Sequence, residues 1–222
     1  THKMKFLAVV VVVACVAGAM GLPLEADDHF PLHAIARDVN SLKTTWVAHP
    51  HNMFDGATWA FLRKLCGSLP EPDNVKLDEK EVEINSNIPD SFDTATNWPQ
   101  CADTVNTVRD QGGCGSCWAV SSTSTLNDRM CIASNGTDAP ELSAEDTLSC
   151  CSIIDFCGSG CNGGFPSGAW RYFKGSGLVT GGAYDGSGCY PYQVQPCEHH
   201  VPGSLPPCAE GGGTPKCQKK CQ

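Results

Sequence analysis

The residue types best suited to covalent chemistry fall in one run, Gln111-Gly112-Gly113-Cys114-Gly115-Ser116-Cys117-Trp118. A cysteine attacks as its thiolate, so its value as a nucleophile depends on what stabilises negative charge beside it. Ala119, Thr123, Leu126 and Met130 share one face of a helix over 116–130. Cys117 then opens that helix, whose positive end favours an anion. Backbone N–H groups of a first helical turn have no partner within the helix. With the side-chain amide of Gln111 they offer paired donors for a developing oxyanion. The same run also spells C-x-x-C at Cys114 and Cys117, a spacing used for thiol–disulfide exchange or zinc. Zinc could draw on the pairs Cys157/Cys161 and Cys217/Cys221 with His199 and His200. A redox domain would want a βαβ setting, which is not legible here, and a purely structural cysteine-rich module is a third reading.

The surrounding chain must position that run. It has 222 residues, 18% charged and 41% hydrophobic, an ordinary globular mixture. With 15 Lys+Arg against 24 Asp+Glu its formal charge is -9, which excludes a generic electrostatic nucleic-acid binder. The 15 Cys point to an oxidising compartment, where thiols become disulfides. Lys3 and Lys5 followed by an apolar run over 6–17 and small residues read as a cleavable signal peptide over 4–21. That run is too short to span a membrane comfortably. Ile35, Val39, Leu42 and Trp46 predict one helix, and Trp59, Leu62 and Leu65 a second that stops at Cys66-Gly67. The Pro-, Asp- and Glu-rich stretch 70–83 reads as an exposed, cleavable linker. Cysteine density rises after it, so 22–87 reads as a pro-region and a boundary falls near Asn87. A helix starts at Ser143 as cap, and 167–174 is short and amphipathic. Without Cys15 and Cys66, 13 Cys remain, an odd number that leaves one thiol to react or to pair with another chain. Asn135-Gly136-Thr137 is a glycosylation sequon on a turn.

Cys-Gly-Ser-Cys-Trp resembles the nucleophile signature of papain-like cysteine peptidases. Further stretches resemble the cathepsin B branch: Trp98-Pro99-Gln100-Cys101, Arg109-Asp110-Gln111-Gly112, Ser143-Ala144-Glu145-Asp146, Cys150-Cys151, Cys161-Asn162-Gly163-Gly164, Cys197-Glu198-His199-His200 and Thr214-Pro215-Lys216-Cys217. The likeness covers 88–222 and, more weakly, 59–67. It implies an α+β, two-domain papain-like fold, here mainly the helical left domain plus an occluding loop, with most of the β-rich right domain missing. It implies a thiol endopeptidase with carboxydipeptidase activity, made as a zymogen with 22–87 as inhibitory propeptide, monomeric, without cofactor or metal. Protein and peptide substrates, the protein's own propeptide and cystatin-like inhibitors are the implied partners, with no nucleic acid and no membrane once the signal is removed. The implied location is the lysosome or the extracellular space.

Residue by residue, the resemblance makes Cys117 the nucleophile and Gln111 the oxyanion-hole amide. Gly163 and Gly164 become the backbone that pairs with extended substrate. Trp118 and Val120 read as structural, and Val120 stands where the family commonly has an aromatic. His199 and His200 sit in a Cys-bounded loop that resembles the occluding loop, whose histidines receive a substrate's C-terminal carboxylate. Asp110 resembles the acid that latches His199. Leu205 stands where the family often has a latching Arg, which implies a looser loop and relatively more endopeptidase activity. The implied bridges are Cys101–Cys131, Cys114–Cys161, Cys150–Cys217, Cys151–Cys157, Cys189–Cys221 and Cys197–Cys208, leaving Cys117 free. By the same resemblance the pro-region runs backwards through the cleft with Cys66-Gly67 near Cys117. The catalytic His and Asn of this family lie roughly 130–150 residues beyond the nucleophile. None of the seven His, at positions 2, 29, 33, 49, 51, 199 and 200, matches that role. The sequence therefore reads as the first part of a preproenzyme, without turnover on its own. The competing expectation is a non-catalytic, disulfide-rich secreted protein that binds peptides or inhibitors.

Overall fold

The computed structural model describes residues 28–50, 54–83, 87–198, 202–208 and 213–221. Among them the longer helices are α1 (Leu32–Ser41), α2 (Trp59–Leu65), α3 (Cys117–Ala133), α4 (Ala144–Cys150) and α5 (Pro166–Gly175). The described residues form no extended strands; their β pairing is confined to single bridges such as Ser68 with Gly164 and Leu142 with Thr180. The signal-peptide reading of 4–21 lies outside the described residues. Among the described residues no helix is long and apolar enough to cross a membrane.

Helix α3 is the frame of the molecule and a poor helix by composition. Ser121, Ser124 and Thr125 turn their hydroxyls back onto the carbonyls four residues earlier, so their polarity stays local. Its inner side buries Trp118, Ala119, Ser122, Thr123, Asn127 and Cys131. The buried polar groups there are matched. Thr123 and Thr147 share a hydroxyl hydrogen bond of 2.8 Å, and Asn127 donates to Pro140 O and accepts from Leu142 N. Packing against α4 and α5, with polar satisfaction, holds the helix where propensity would not.

Ser143 caps α4 as expected, its hydroxyl accepting from Asp146 N at 2.9 Å. All of Ala144, Glu145, Asp146, Thr147 and Leu148 are buried, so this short helix sits inside the fold. The core joins Trp118 and Ala119 of α3 to Ala144 and Leu148 of α4 and to Ala169 and Tyr172 of α5, with Tyr192 and four cystine sulfurs filling in. The disulfides are Cys101–Cys131, Cys114–Cys161, Cys150–Cys217, Cys151–Cys157, Cys189–Cys221 and Cys197–Cys208, the same six pairs that the resemblance implies.

The segment before residue 87 is attached rather than interleaved. Helix α1 ends at Ser41, one turn short of Trp46, because Lys43 takes a left-handed φ of 49° and turns the chain. Phe30 meets Trp59 edge to face at 4.8 Å, and Phe30 N donates to Ala57 O, so α1 is hinged onto α2. Helix α2, capped by Thr58, buries no residue completely. The stretch 70–83 is not the uniformly exposed linker its composition suggests. A 3-10 turn, Asp73–Val75, tucks Val75 to 3% exposure, while the stretch beyond Lys76 stays exposed.

Candidate active site

Cys117 is the one free cysteine among the described residues, half-buried at the first position of α3. The helix cap, Ser116, contributes no side-chain hydrogen bond to the helix. Ala119 N and Val120 N both donate to Ser116 O at 2.9 Å, so the N–H groups of Cys117 and Trp118 are the ones left at the positive end of the helix, next to the thiol. Cys114 is bonded to Cys161, so the C-x-x-C is neither a dithiol nor a zinc half-site. Cys157, Cys217 and Cys221 are likewise in disulfides, which removes the thiolates that the zinc reading required.

The thiol's surroundings are fixed from three sides. Gly115 N donates to Cys161 O at 3.0 Å, beside the Cys114–Cys161 bridge. Trp118, fully buried, donates its indole N–H to Gly160 O at 3.0 Å. Tyr192 supplies a strut that sequence reading missed. Its hydroxyl donates to Gln111 O at 3.1 Å. Its single proton being so used, it accepts from Ser116 Oγ at 2.6 Å. One buried phenol thus ties the residue preceding the thiol to the backbone of Gln111. Burial pushes its ionisation well above the ordinary tyrosine range, so it stays a neutral donor. The sequence held a faint signal, two tyrosines flanking a proline in Cys189-Tyr190-Pro191-Tyr192, but their partners lie far away along the chain.

The space in front of Cys117 is lined by a second stretch of backbone. Gln111 Nε2 donates to Leu65 O at 3.2 Å. Two residues on, Gly164 N donates to Gly67 O at 2.8 Å and Leu69 N to Gly164 O at 3.0 Å, a parallel pairing around Ser68. The approach is tight. A Cβ on Gly67 would run into the carbonyl of Gly115, and one on Gly164 would lie 2.6 Å from the Trp118 ring. The chain from the end of α2 through Leu69 therefore lies across the donors that the sequence singles out, joined to Gly164 by a single parallel bridge at Ser68. The arrangement can hold a peptide carbonyl on an amide donor beside a thiol.

The other candidate residues are placed less centrally. Asp110 accepts from Gly112 N at 2.7 Å and so shapes the loop before Cys114. His199 and His200 lie outside the described residues, so the latch between Asp110 and His199 does too. The base of their loop is closed by Cys197–Cys208 and by Glu198 N donating to Pro206 O at 2.8 Å. Glu198 Oε1 accepts from Leu205 N, so a carboxylate braces the loop position where Leu205 stands. Asn135 is exposed in a turn, at φ 54°, with its side-chain oxygen accepting from Gln100 Nε2.

A family model described as papain family cysteine protease matches residues 88–222. Cathepsin B-like cysteine proteinase 6 of Caenorhabditis elegans is 42% identical over 193 residues, covering 82% of this chain and 50% of that protein. Cathepsin B-like cysteine proteinase 4 of the same organism is 39% identical over 222 residues, covering 98% of this chain and 64% of that protein. The chain thus spans between half and two thirds of the length of these two relatives. Among solved structures, proCathepsin B S9 from Trypanosoma congolense aligns with a TM-score of 0.65 and 31% identity over 85% of this chain and 57% of that one.

Proposed function

The chain belongs to the papain family of cysteine proteases, and on that premise we propose that it supplies the nucleophile half of a cathepsin B-like peptidase, held silent by its own residues 22–87. Cys117 as thiolate attacks a peptide carbonyl carbon, forming the C–S bond. The resulting oxyanion is received by the Cys117 N–H and Gln111 Nε2. The observation that carries this reading is the Leu65 carbonyl resting on Gln111 Nε2, with Gly67 packed against Gly115 two residues before the free thiol. Gly163 and Gly164 then pair with extended substrate, as Gly164 now pairs with Gly67 and Leu69.

Collapse of the tetrahedral adduct expels an amine, which needs a proton from a general acid. No histidine of the 222 residues matches that role, so these residues alone bind a peptide and reach the tetrahedral adduct, which reverts to thiolate and intact peptide because the amine cannot leave. The segment 65–69 is the zymogen stopper, and its parallel pairing is the reverse of the direction a cleavable substrate takes in this family. His199 and His200 give a preference for free C-termini, latched through Asp110 and loosened where Leu205 replaces a cation. A secretory route to lysosome or extracellular space, with glycan at Asn135, fits the disulfide density.

Two measurements test this. A peptidyl epoxide incubated with the chain modifies Cys117, mapped by peptide mass spectrometry; an intact thiol after prolonged incubation of the folded chain contradicts the reading and favours a non-catalytic binder. Native protein isolated from its source cleaves peptide amides as well as free acids. A strong requirement for the free carboxylate would remove the looser-loop part of the proposal.

A further inference from the structure

Helix α5 begins without a side-chain cap of its own: its cap residue, Phe165, makes no side-chain hydrogen bond to the helix, and Pro166 brings no N–H. The cap comes from 96 residues earlier. Glu71 Oε1 accepts from Ser167 N at 2.8 Å, a carboxylate on the positive end of a ten-residue helix. One turn further along, Arg171 Nη2 donates to Val75 O at 2.6 Å and to Lys76 O at 3.1 Å. The Phe156 ring, 6.0 Å from the guanidinium carbon, faces that group from its other side. Val75 is buried to 3% between these two polar anchors, and Lys76 closes the intervening turn on Asp73 at 2.7 Å. Leu77, 48% exposed, forms one wall of an open groove of about 520 Å³ between α3 and α5, with Ser121, Thr125, Arg129 and Trp170 along the others.

This clasp is distinct from the stopper at Cys117, because it shares none of the donors Gln111, Gly164 and Cys117. It also has spare capacity. Ser167 Oγ, in a residue 3% exposed, and Arg171 Nη1 are buried and make no hydrogen bond. A buried hydroxyl and a guanidinium N–H with no acceptor are costly, so this face can take hydrogen bonds beyond those the strap now makes.

We propose that the α5 face is a binding site for peptide segments that carry an acidic residue four positions before a branched apolar one with a tight turn between them, and that the strap 71–77 occupies this site in cis. When the strap leaves, the site takes such segments in trans, away from the nucleophile. The proposal does not rest on the peptidase reading.

The test uses the full 222-residue chain. A double variant, Glu71→Ala with Val75→Ser, vacates the site. A seven-residue peptide copying 71–77, blocked at both ends and fluorescently tagged, is titrated by anisotropy. A tethered strap competes at millimolar effective concentration, so the vacated chain binds the peptide at least tenfold tighter than wild type. Arg171→Met added to the vacated chain weakens it at least tenfold, and a scrambled peptide does not bind. Equal binding by wild type and vacated chain, or by the scrambled peptide, overturns the proposal. Should near-ultraviolet dichroism show that the double variant is not folded, the single variant Glu71→Gln decides. Hydrogen exchange at Val75 then accelerates several-fold, while exchange at Gly164, bonded to Gly67, does not. Unchanged exchange at Val75 overturns the proposal equally.

Discussion

The corner that presents Cys117 and the segment that covers it are built by opposite means. The corner is covalent and buried: Cys114–Cys161 behind it, Trp118 at 0% exposure beneath it, and the Tyr192 hydroxyl joining Ser116 to Gln111. The covering segment meets that corner through hydrogen bonds of its own backbone, at Leu65 O, Gly67 O and Leu69 N. The helix leading into it, α2, buries nothing completely. A nucleophile needs a geometry that does not relax, which cystines and close packing provide. A stopper needs to leave, and a few backbone bonds, each contributing about 1 kcal/mol net, permit that.

The largest expected effect follows from breaking the covalent side. Replacing both Cys114 and Cys161 by Ser lowers global stability by about 2–5 kcal/mol in urea unfolding. A loss below 0.5 kcal/mol would show that packing alone holds the corner. Next comes Gly67→Ala, which forces the segment off Gly115. Losing its two neighbouring backbone bonds, about 2 kcal/mol in all, corresponds to roughly a 30-fold faster alkylation of Cys117, with the urea midpoint nearly unmoved. A smaller change comes from Thr58→Ala, which removes the hydroxyl that accepts from Phe61 N. It costs about 1 kcal/mol locally, read as faster hydrogen exchange in α2 and no change in α3.

The smallest effect is a pH dependence in the buried half. Glu145 is fully buried, with Oε2 accepting from Gln193 N and Oε1 unpartnered. Burial raises its carboxyl above the ordinary range. The folded chain then keeps a proton that the unfolded chain releases from about pH 4.3 upward. The stability this contributes is complete below that pH and is lost as pH rises through the folded value. Glu145→Gln therefore raises the melting temperature at pH 7.5 more than at pH 4. An equal shift at both would place the charge elsewhere.

What the sequence made legible, and what it hid, follows the same division. The helix at Cys117 was readable because Ala119 and Met130 keep a helical period, and its last turn ran on to Ala133 through packing. Ser143 was readable because capping is local. Trp46 was assigned to a helix that ends at Ser41, because the turn at Lys43 depends on one left-handed residue. The strap 71–77 looked like a solvated linker because Glu71 and Arg171 carry no local sign of partners nearly a hundred residues away. Tyr192 escaped for the same reason: its role lies in contacts with residues 76 and 81 positions earlier. Local chemistry, capping and periodicity are written in short windows; cross-chain struts are not.

The central claim is that Cys117 is a reactive thiol in a rigid corner, covered by a removable segment. Iodoacetamide labelling of the folded full chain, wild type against Gly67→Ala, with the adduct mapped by mass spectrometry, tests it most directly. The account predicts modification at Cys117 in both, slow in wild type and roughly 30-fold faster in the variant. Equal rates, or an adduct elsewhere with Cys117 untouched, would contradict it.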